Sequence, residues 1–208
     1  ESGVWSQKVR VAARIYDLMQ ITEIYKSIQG ESSYAGLPCG FVRLTACNLR
    51  CTWCDSEFTF TGGKAMSADE VEAEVQRLAP GAGLVEITGG EPLLQEKELI
   101  PFMQRLLDLG YKVLLETSGE RALGGVPAGV LKIVDVKCPG SGEGASFRMG
   151  NLDALMPRDE VADEKLDVPA PLAQGRDAHG NHLQPEEEVF AEASGRDFVL
   201  EIAVGRSY

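Results

Sequence analysis

The chain has 208 residues and sets 20 Lys and Arg against 32 Asp and Glu, for a formal net charge of -12 at pH 7. That length suits one sizeable α/β core rather than two domains, and the acidic balance excludes a general nucleic-acid or membrane-surface binder, which needs a basic patch. No apolar run approaches the roughly 20 residues a membrane helix requires, and the N-terminal residues do not read as a secretory leader, so a soluble cytoplasmic protein acting on small molecules is expected.

Residues 1–18 read as an N-terminal extension. From Gln20 to Tyr25 the residues alternate in the strand period, and Phe41 to Thr45 forms a second extended run. Ser67-Ala-Asp-Glu70 has the form of a capping box, with Val71, Val75 and Leu78 recurring on one helical face, so a helix is predicted from about Ala68. Pro80 to Gly83 ends it. Leu84 to Thr88 is a β-rich run that breaks at Gly89-Gly90-Glu91-Pro92, and Leu99, Phe102, Met103, Leu106 and Leu107 mark the stripe of a second helix stopped by Gly110. Tyr111 to Glu116 and Leu131 to Val136 read as further strands. Repeated strand–helix–strand units imply a parallel sheet with right-handed crossovers, and a core domain over residues 19–158.

From Asp159 to Asp197 the chain is acidic, rich in Pro, Gly and Ala, and without clear periodicity, the composition of a linker or tail. Within residues 159–208 only Phe198 to Val204 looks like a strand. His179 and His182 lie in this region and read as a solvated pair.

The chemistry concentrates at strand ends, where parallel sheets place their sites. Cys47-Asn-Leu-Arg-Cys51-Thr-Trp-Cys54 puts three thiols on one tight loop after a short strand. Iron–sulfur clusters are held by cysteine thiolates, and three such ligands to a four-iron cubane leave one iron open to a substrate or cofactor. With Cys39, which seven residues separate from the triplet, a four-thiolate zinc site is the competing assignment, although such sites usually come as two separated C-x2-C pairs. Cys39 and Cys138 otherwise read as free thiols. Thr88-Gly-Gly-Glu-Pro92 is a turn whose glycines let the backbone approach a ligand, and Glu116-Thr-Ser-Gly119 closes the next strand; taken alone, each is equally an ordinary turn.

Together the cysteine triplet and the Gly-Gly-Glu-Pro turn resemble the radical S-adenosylmethionine (SAM) superfamily. Ile24-Tyr-Lys-Ser-Ile-Gln-Gly-Glu31, Ala35-Gly36 and Phe41-Val-Arg-Leu44 narrow the resemblance to the 7-carboxy-7-deazaguanine synthase family, over about Met19 to Pro157. The resemblance implies a partial TIM-like (β/α)6 barrel of about six parallel strands, with its site at their carboxyl ends. It implies a 4Fe-4S cluster on Cys47, Cys51 and Cys54, SAM contacts from Trp53, Cys54, Asp55, Gly90, Ser118, Asp135, Val136 and Lys137, and Mg2+ on Ser56. Ile28, Gln29, Gly30, Arg43 and Thr88 are implied as pterin contacts, with Ser118 the expected hydrogen-bond donor to SAM and Arg43 a bidentate clamp on a carboxylate.

The reaction so implied starts with reductive cleavage of SAM to a 5'-deoxyadenosyl radical. That radical takes hydrogen from carbon 6 of 6-carboxy-5,6,7,8-tetrahydropterin, and ring contraction with loss of ammonia gives 7-carboxy-7-deazaguanine. A flavodoxin-type reductant and a homodimer are also implied. Two alternatives stand beside it: an activating enzyme that makes a radical on a protein partner, and an iron–sulfur electron carrier or inactive variant. Gln29-Gly-Glu31 and Ser56 disfavour the first, and the second leaves the Gly-Gly-Glu-Pro turn unexplained.

Overall fold

A computed structural model describes residues 18–81 and 83–155, together with the backbone of Phe190–Ala191 and Leu200–Glu201. The expectations for residues 1–17, for His179 and His182, and for most of 159–208 fall outside the described residues.

Six strands form one sheet in the order β3-β1-β2-β4-β5-β6: β1 (Leu18–Ile28), β2 (Pro38–Leu44), β3 (Lys64–Ser67), β4 (Leu84–Gly89), β5 (Lys112–Thr117) and β6 (Leu131–Val134). Strands β2, β4, β5 and β6 run parallel, as the strand–helix rhythm predicts. The sheet is nevertheless mixed. β1 pairs antiparallel with β2 through a short connection, and β3 pairs antiparallel with β1, so the expectation of six parallel strands holds for four of them. The reason is connection length: the nine residues from 29 to 37 between β1 and β2 hold only a 3-10 turn, Ser32–Tyr34, and parallel neighbours need a crossover of a dozen residues or more. Helix α1 (Ala68–Leu78) joins β3 to β4, and α2 (Glu96–Asp108) joins β4 to β5.

The start of α1 follows its sequence signature. Ser67 Oγ accepts the Glu70 N–H at 3.3 Å and Glu70 Oε2 accepts the Ser67 N–H at 2.8 Å, satisfying two donors that a helix start leaves open. Val71 and Val75 are fully buried beneath it and Leu78 half-buried. Gly110, at φ 85°, turns the chain out of α2 by a backbone angle that other residues rarely adopt.

Strand alternation gives the sheet two unlike faces. Val42, Leu44, Val85, Ile87, Val113 and Leu115 point into the main core, against Val71, Val75, Leu99, Phe102 and Leu106 of the helices. The opposite face carries Tyr25, Cys39, Phe41, Leu84, Leu114 and Ile133 as a smaller apolar cluster. On that same face, alternation also sets Glu23, Arg43, Glu86, Thr88 and Glu116. One end of the face is therefore apolar and the carboxyl end is ionisable. Short α3 (Leu152–Leu155) follows β6, and β7 (Phe190–Ala191) pairs antiparallel with β8 (Leu200–Glu201), a pair that falls partly within the expected strand at Phe198 to Val204.

Candidate functional site

At the carboxyl ends of the parallel strands lies a cavity of about 290 Å³, lined by the cysteine loop, the turns after β4 and β5, and the residues after β6. Cys47, Cys51 and Cys54 all border it, as do Trp53, Asp55, Ser56, Thr88, Gly90, Ser118, Asp135 and Lys137 from the sequence reading. Glu31, Leu49, Glu116 and Thr117, from the quoted motifs, border it as well, and so do Phe60 and Ile133, which were not foreseen.

The base of the cysteine loop is fixed by backbone. Ala46 N–H donates to Thr59 at 2.7 Å, and Glu91 N–H donates to Ala46 O at 2.9 Å, tying the loop entrance to the Gly-Gly-Glu-Pro turn. A Cβ on Gly90 would lie 2.4 Å from Ala46 O and 2.6 Å from Cys47 Cβ. The glycine expected to let a ligand close is thus needed first for the close approach of two chain segments. Ala46 adopts φ 84°, an uncommon value for a residue with a Cβ, at the step before the first thiol.

Glu91 is wholly buried. Its carboxylate accepts the Leu93 N–H at 3.0 Å, the Thr117 hydroxyl at 2.9 Å, the Ser118 N–H at 3.0 Å and the Ser118 hydroxyl at 2.7 Å. This corrects the role expected of Ser118. Its proton is committed to Glu91 and its oxygen also accepts the Glu120 N–H at 3.4 Å, so any further bond the hydroxyl makes at the cavity is as an acceptor rather than as a donor.

Four of the expected substrate residues lie off the cavity wall. Ile28 is 64% exposed at the end of β1, and Gly30 follows it, open to solvent. Gln29 is buried, its amide N–H donating to Glu86 and its Oε1 accepting the Glu31 N–H at 3.2 Å. Arg43 donates to Glu23 at 2.9 Å and to the Tyr25 hydroxyl at 2.8 Å, with the Tyr25 and Phe58 rings each 5.7 Å from its guanidinium carbon. Arg43 is in register with Thr88, which borders the cavity and donates to Glu116 at 2.7 Å, so arginine and cavity are neighbours across one strand. Val136 departs from expectation: β6 ends at Val134, and the Val136 side chain packs against the main core.

The charges are mostly negative. Glu31, Asp55, Glu116 and Asp135 line the cavity against the single lysine Lys137, which pairs with Asp135. Burial pulls the Lys137 ammonium down, but Asp135, Cys51 and Glu116 more than offset it, so its pKa ends above the ordinary value. Burial pushes the Cys47 and Cys51 thiols up, with Lys137 opposing the rise at Cys51. Beneath the cavity Glu86 is raised to about 8 by burial and by the neighbouring Glu116, against the bond from Gln29.

The donor set fits a cubane cluster. No three His, Cys, Asp or Glu side chains among the described residues converge as ligands on a single ion, whereas three free thiols along one loop can each meet a different iron. Cys39 cannot complete a zinc site with them. It is buried at the start of β2, on the sheet's second face, and at roughly 3.3 Å per residue the strand carries it about 16 Å from the loop entrance. Ser56 is the first residue before a 3-10 turn; its hydroxyl makes no capping bond and lies 3.8 Å from Cys54 Sγ, a hard oxygen donor at the cavity edge beside a cluster thiol.

Residues 42–131 match the radical SAM superfamily. Over 143 residues the chain is 76% identical to a 7-carboxy-7-deazaguanine synthase from Koribacter versatilis, covering 69% of this chain and 63% of that relative. It is 41% identical to the synthase of the same name from Thermoplasma acidophilum, covering 68% of this chain and 67% of the relative. The chain thus spans about two thirds of the length of these relatives, and a little less for the first. The crystal structure of QueE from Escherichia coli superposes with a TM-score of 0.54 at 24% identity, covering 71% of this chain and 80% of that one, a likeness of fold.

Proposed function

The chain belongs to the 7-carboxy-7-deazaguanine synthase family, and on that premise we propose that it converts 6-carboxy-5,6,7,8-tetrahydropterin to 7-carboxy-7-deazaguanine with loss of ammonia, using a 4Fe-4S cluster, SAM and Mg2+. The observation that carries this proposal is that Cys47, Cys51 and Cys54 border one cavity together with Thr88, Gly90, Ser118, Asp135 and Lys137. A thiolate-held cluster with one open iron, when bound, supplies the electron that splits SAM. Every other task falls to the chain.

Cys47, Cys51 and Cys54 hold the cluster. Gly90 and the turn it anchors offer peptide groups to the methionine end of SAM, Ser118 offers an acceptor oxygen, and Trp53, Asp55 and the Asp135–Lys137 pair flank the cofactor. A negative lining suits this cargo: a sulfonium, an ammonium and a divalent cation are all positive, and carboxylates beside them stabilise the charge. Ser56, whose hydroxyl caps no backbone N–H and lies 3.8 Å from Cys54 Sγ, is the proposed Mg2+ ligand. Arg43 clamps the pterin carboxylate, while Thr88 and Gln29 with its neighbours Ile28 and Gly30 form the pterin side of the site. Closing that side around the substrate requires the β1–β2 connection to move in, since Ile28 stands exposed.

Residues 19–158 are proposed as the radical SAM core, flanked by residues 1–18 and by a divergent region over 159–208. A cytoplasmic homodimer served by a flavodoxin-type reductant completes the proposal; among the described residues no helix is long and apolar enough to cross a membrane. The test is an anaerobic assay of iron-reconstituted protein with SAM, dithionite, Mg2+ and 6-carboxytetrahydropterin. Formation of 5'-deoxyadenosine and of the deazapurine together is the expected result. Deoxyadenosine alone would assign the chain another substrate, and neither product from a cluster-loaded sample would remove the enzymatic reading.

A further inference from the structure

Beyond β6 the chain folds back onto the cysteine loop. Thr52 N–H donates to Ser141 O at 2.9 Å, the Thr52 hydroxyl to Gly140 O at 3.2 Å, and Arg50 N–H to Glu143 Oε1 at 2.6 Å. The turn that makes these contacts is itself tightly built. Ser141 is 1% exposed, donates its hydroxyl to Cys138 O at 2.7 Å and accepts the Glu143 N–H at 3.1 Å. A Cβ on Gly144 would come within 2.6 Å of Pro139 Cα, and one on Gly140 within 2.9 Å of the Trp53 ring, so turn and loop meet with no room for a side chain between them. No residue from 138 to 144 borders the cavity. The turn acts on the loop alone.

The loop has few anchors of its own. Leu49 is its one buried apolar side chain, and the Arg50 guanidinium folds back onto Cys47 O at 2.8 Å and Leu49 O at 2.6 Å while lying 4.2 Å over the Phe60 ring. That leaves the peptide N–H of Arg50, midway between Cys47 and Cys51, to be held from outside. We propose that Glu143 is a positioning residue for the cysteine loop: its carboxylate, carried on the turn after β6, accepts the Arg50 peptide N–H and sets the loop for metal loading before a cluster is present. This rests on the reading of Cys47, Cys51 and Cys54 as cluster ligands. A carboxylate accepting a peptide N–H makes a short, strong bond, and ordering the loop in advance lowers the entropy lost on metal binding. The Glu143 carboxylate, bonded to the Arg50 peptide, sits one residue from Cys51. An anion at that distance disfavours adding an electron to a cluster, so geometry and charge can be separated: Glu143→Gln keeps an oxygen acceptor and removes the charge, and Glu143→Ala removes both.

The test compares the wild-type 208-residue chain with Glu143→Gln and Glu143→Ala. In metal-free protein, trypsin cleavage at the Arg50–Cys51 bond is followed by mass spectrometry and normalised to cleavage after Arg105 within α2, which reports global unfolding. After anaerobic reconstitution, iron and sulfide content and the cluster midpoint potential are measured. The Glu143→Ala chain should be cut after Arg50 about threefold to tenfold faster than wild type, the size expected for losing one partly exposed charge-assisted bond, and should retain less iron. Glu143→Gln, which keeps a weaker neutral acceptor, should fall between wild type and Glu143→Ala in cleavage, hold more iron than Glu143→Ala, and show a higher midpoint potential than wild type. Equal Arg50 cleavage in wild type and Glu143→Ala, or a Glu143→Gln chain as labile as Glu143→Ala, would overturn the assignment. Faster cleavage in Glu143→Ala with no iron uptake by any of the three chains would uphold the positioning role and remove the cluster reading.

Discussion

The Ser118 hydroxyl donates to Glu91 Oε2 at 2.7 Å, so the turn after β4 and the turn after β5 are bonded into one unit at the cavity edge. Glu91 has no solvent access, and its donors come from Leu93, Thr117 and Ser118. Removing the carboxylate strands all of them. Glu91→Ala should cost about 3 kcal/mol or more in unfolding free energy, and Glu91→Gln, which keeps one acceptor oxygen but turns an amide N–H2 toward donors, about 2 kcal/mol. Urea unfolding of metal-free protein reads both, and a loss below about 1 kcal/mol for Glu91→Ala would show that the network is not what joins the turns.

Cysteine substitutions separate ligands from core. Cys51 is half-exposed on its loop, so Cys51→Ala should leave the circular dichroism spectrum intact while iron and sulfide retained after reconstitution collapse. Cys39 is buried, its thiol pushed up to about 12 by burial and by Glu86, and a thiol so held stays protonated and inert. Cys39→Ala should leave metal content unchanged and cost about 1 kcal/mol through the small cavity left behind. Loss of metal in the Cys39 variant would revive a four-cysteine site.

Much of the fold is written in local patterns. The Ser67 to Glu70 capping box starts α1 where it was expected, and the apolar runs at Leu84 and Lys112 become β4 and β5. β3 went unread because Lys64-Ala-Met-Ser67 is four residues long with no alternation to speak of, and it exists through pairing with β1. Strand direction was also hidden, since an alternating run such as Gln20 to Tyr25 looks the same in either orientation. The cysteine loop and the two turns were legible because their residue types are demanded by chemistry. Glu86 was missed, although a visible signal existed: it is an acid inside an apolar strand, Leu84-Val-Glu-Ile, on the period-two face that carries the site. Where Gln29 and Arg43 spend their hydrogen bonds is a matter of tertiary neighbours, which no local pattern encodes.

Arg43 tests the substrate side. Its guanidinium is braced by Glu23 and the Tyr25 hydroxyl, an arrangement that aims a planar fork rather than a flexible charge. Arg43→Lys keeps the charge and loses the fork, so the KM for the pterin should rise about tenfold with kcat little changed, the pattern of a ground-state clamp. An unchanged KM would move the carboxylate contact to another residue. A fall in kcat alone would give Arg43 a role in the reacting geometry.

Glu86 makes stability depend on pH in a direction opposite to most carboxylates. Its carboxyl is buried among Gln29, Glu116 and Cys39, and its pKa rises from 4.5 to about 8, burial being the main cause and Glu116 the next. Below about pH 4.5 the carboxyl is protonated in both the folded and unfolded chain and costs nothing. Between 4.5 and 8 the unfolded chain releases the proton while the folded one keeps it, so folding loses up to about 1.4 kcal/mol per pH unit from this group, and the loss levels off above 8. Glu86→Gln mimics the protonated carboxyl, with an oxygen for the Gln29 amide and an N–H for Glu116, and it cannot ionise. Urea unfolding at pH 5, 7 and 9 should therefore show Glu86→Gln gaining on wild type at each step, with the largest advantage at pH 9. Parallel stability curves for the two chains would mean that Glu86 is ionised in the folded protein, and that Gln29 rather than a shared proton holds it beside Glu116.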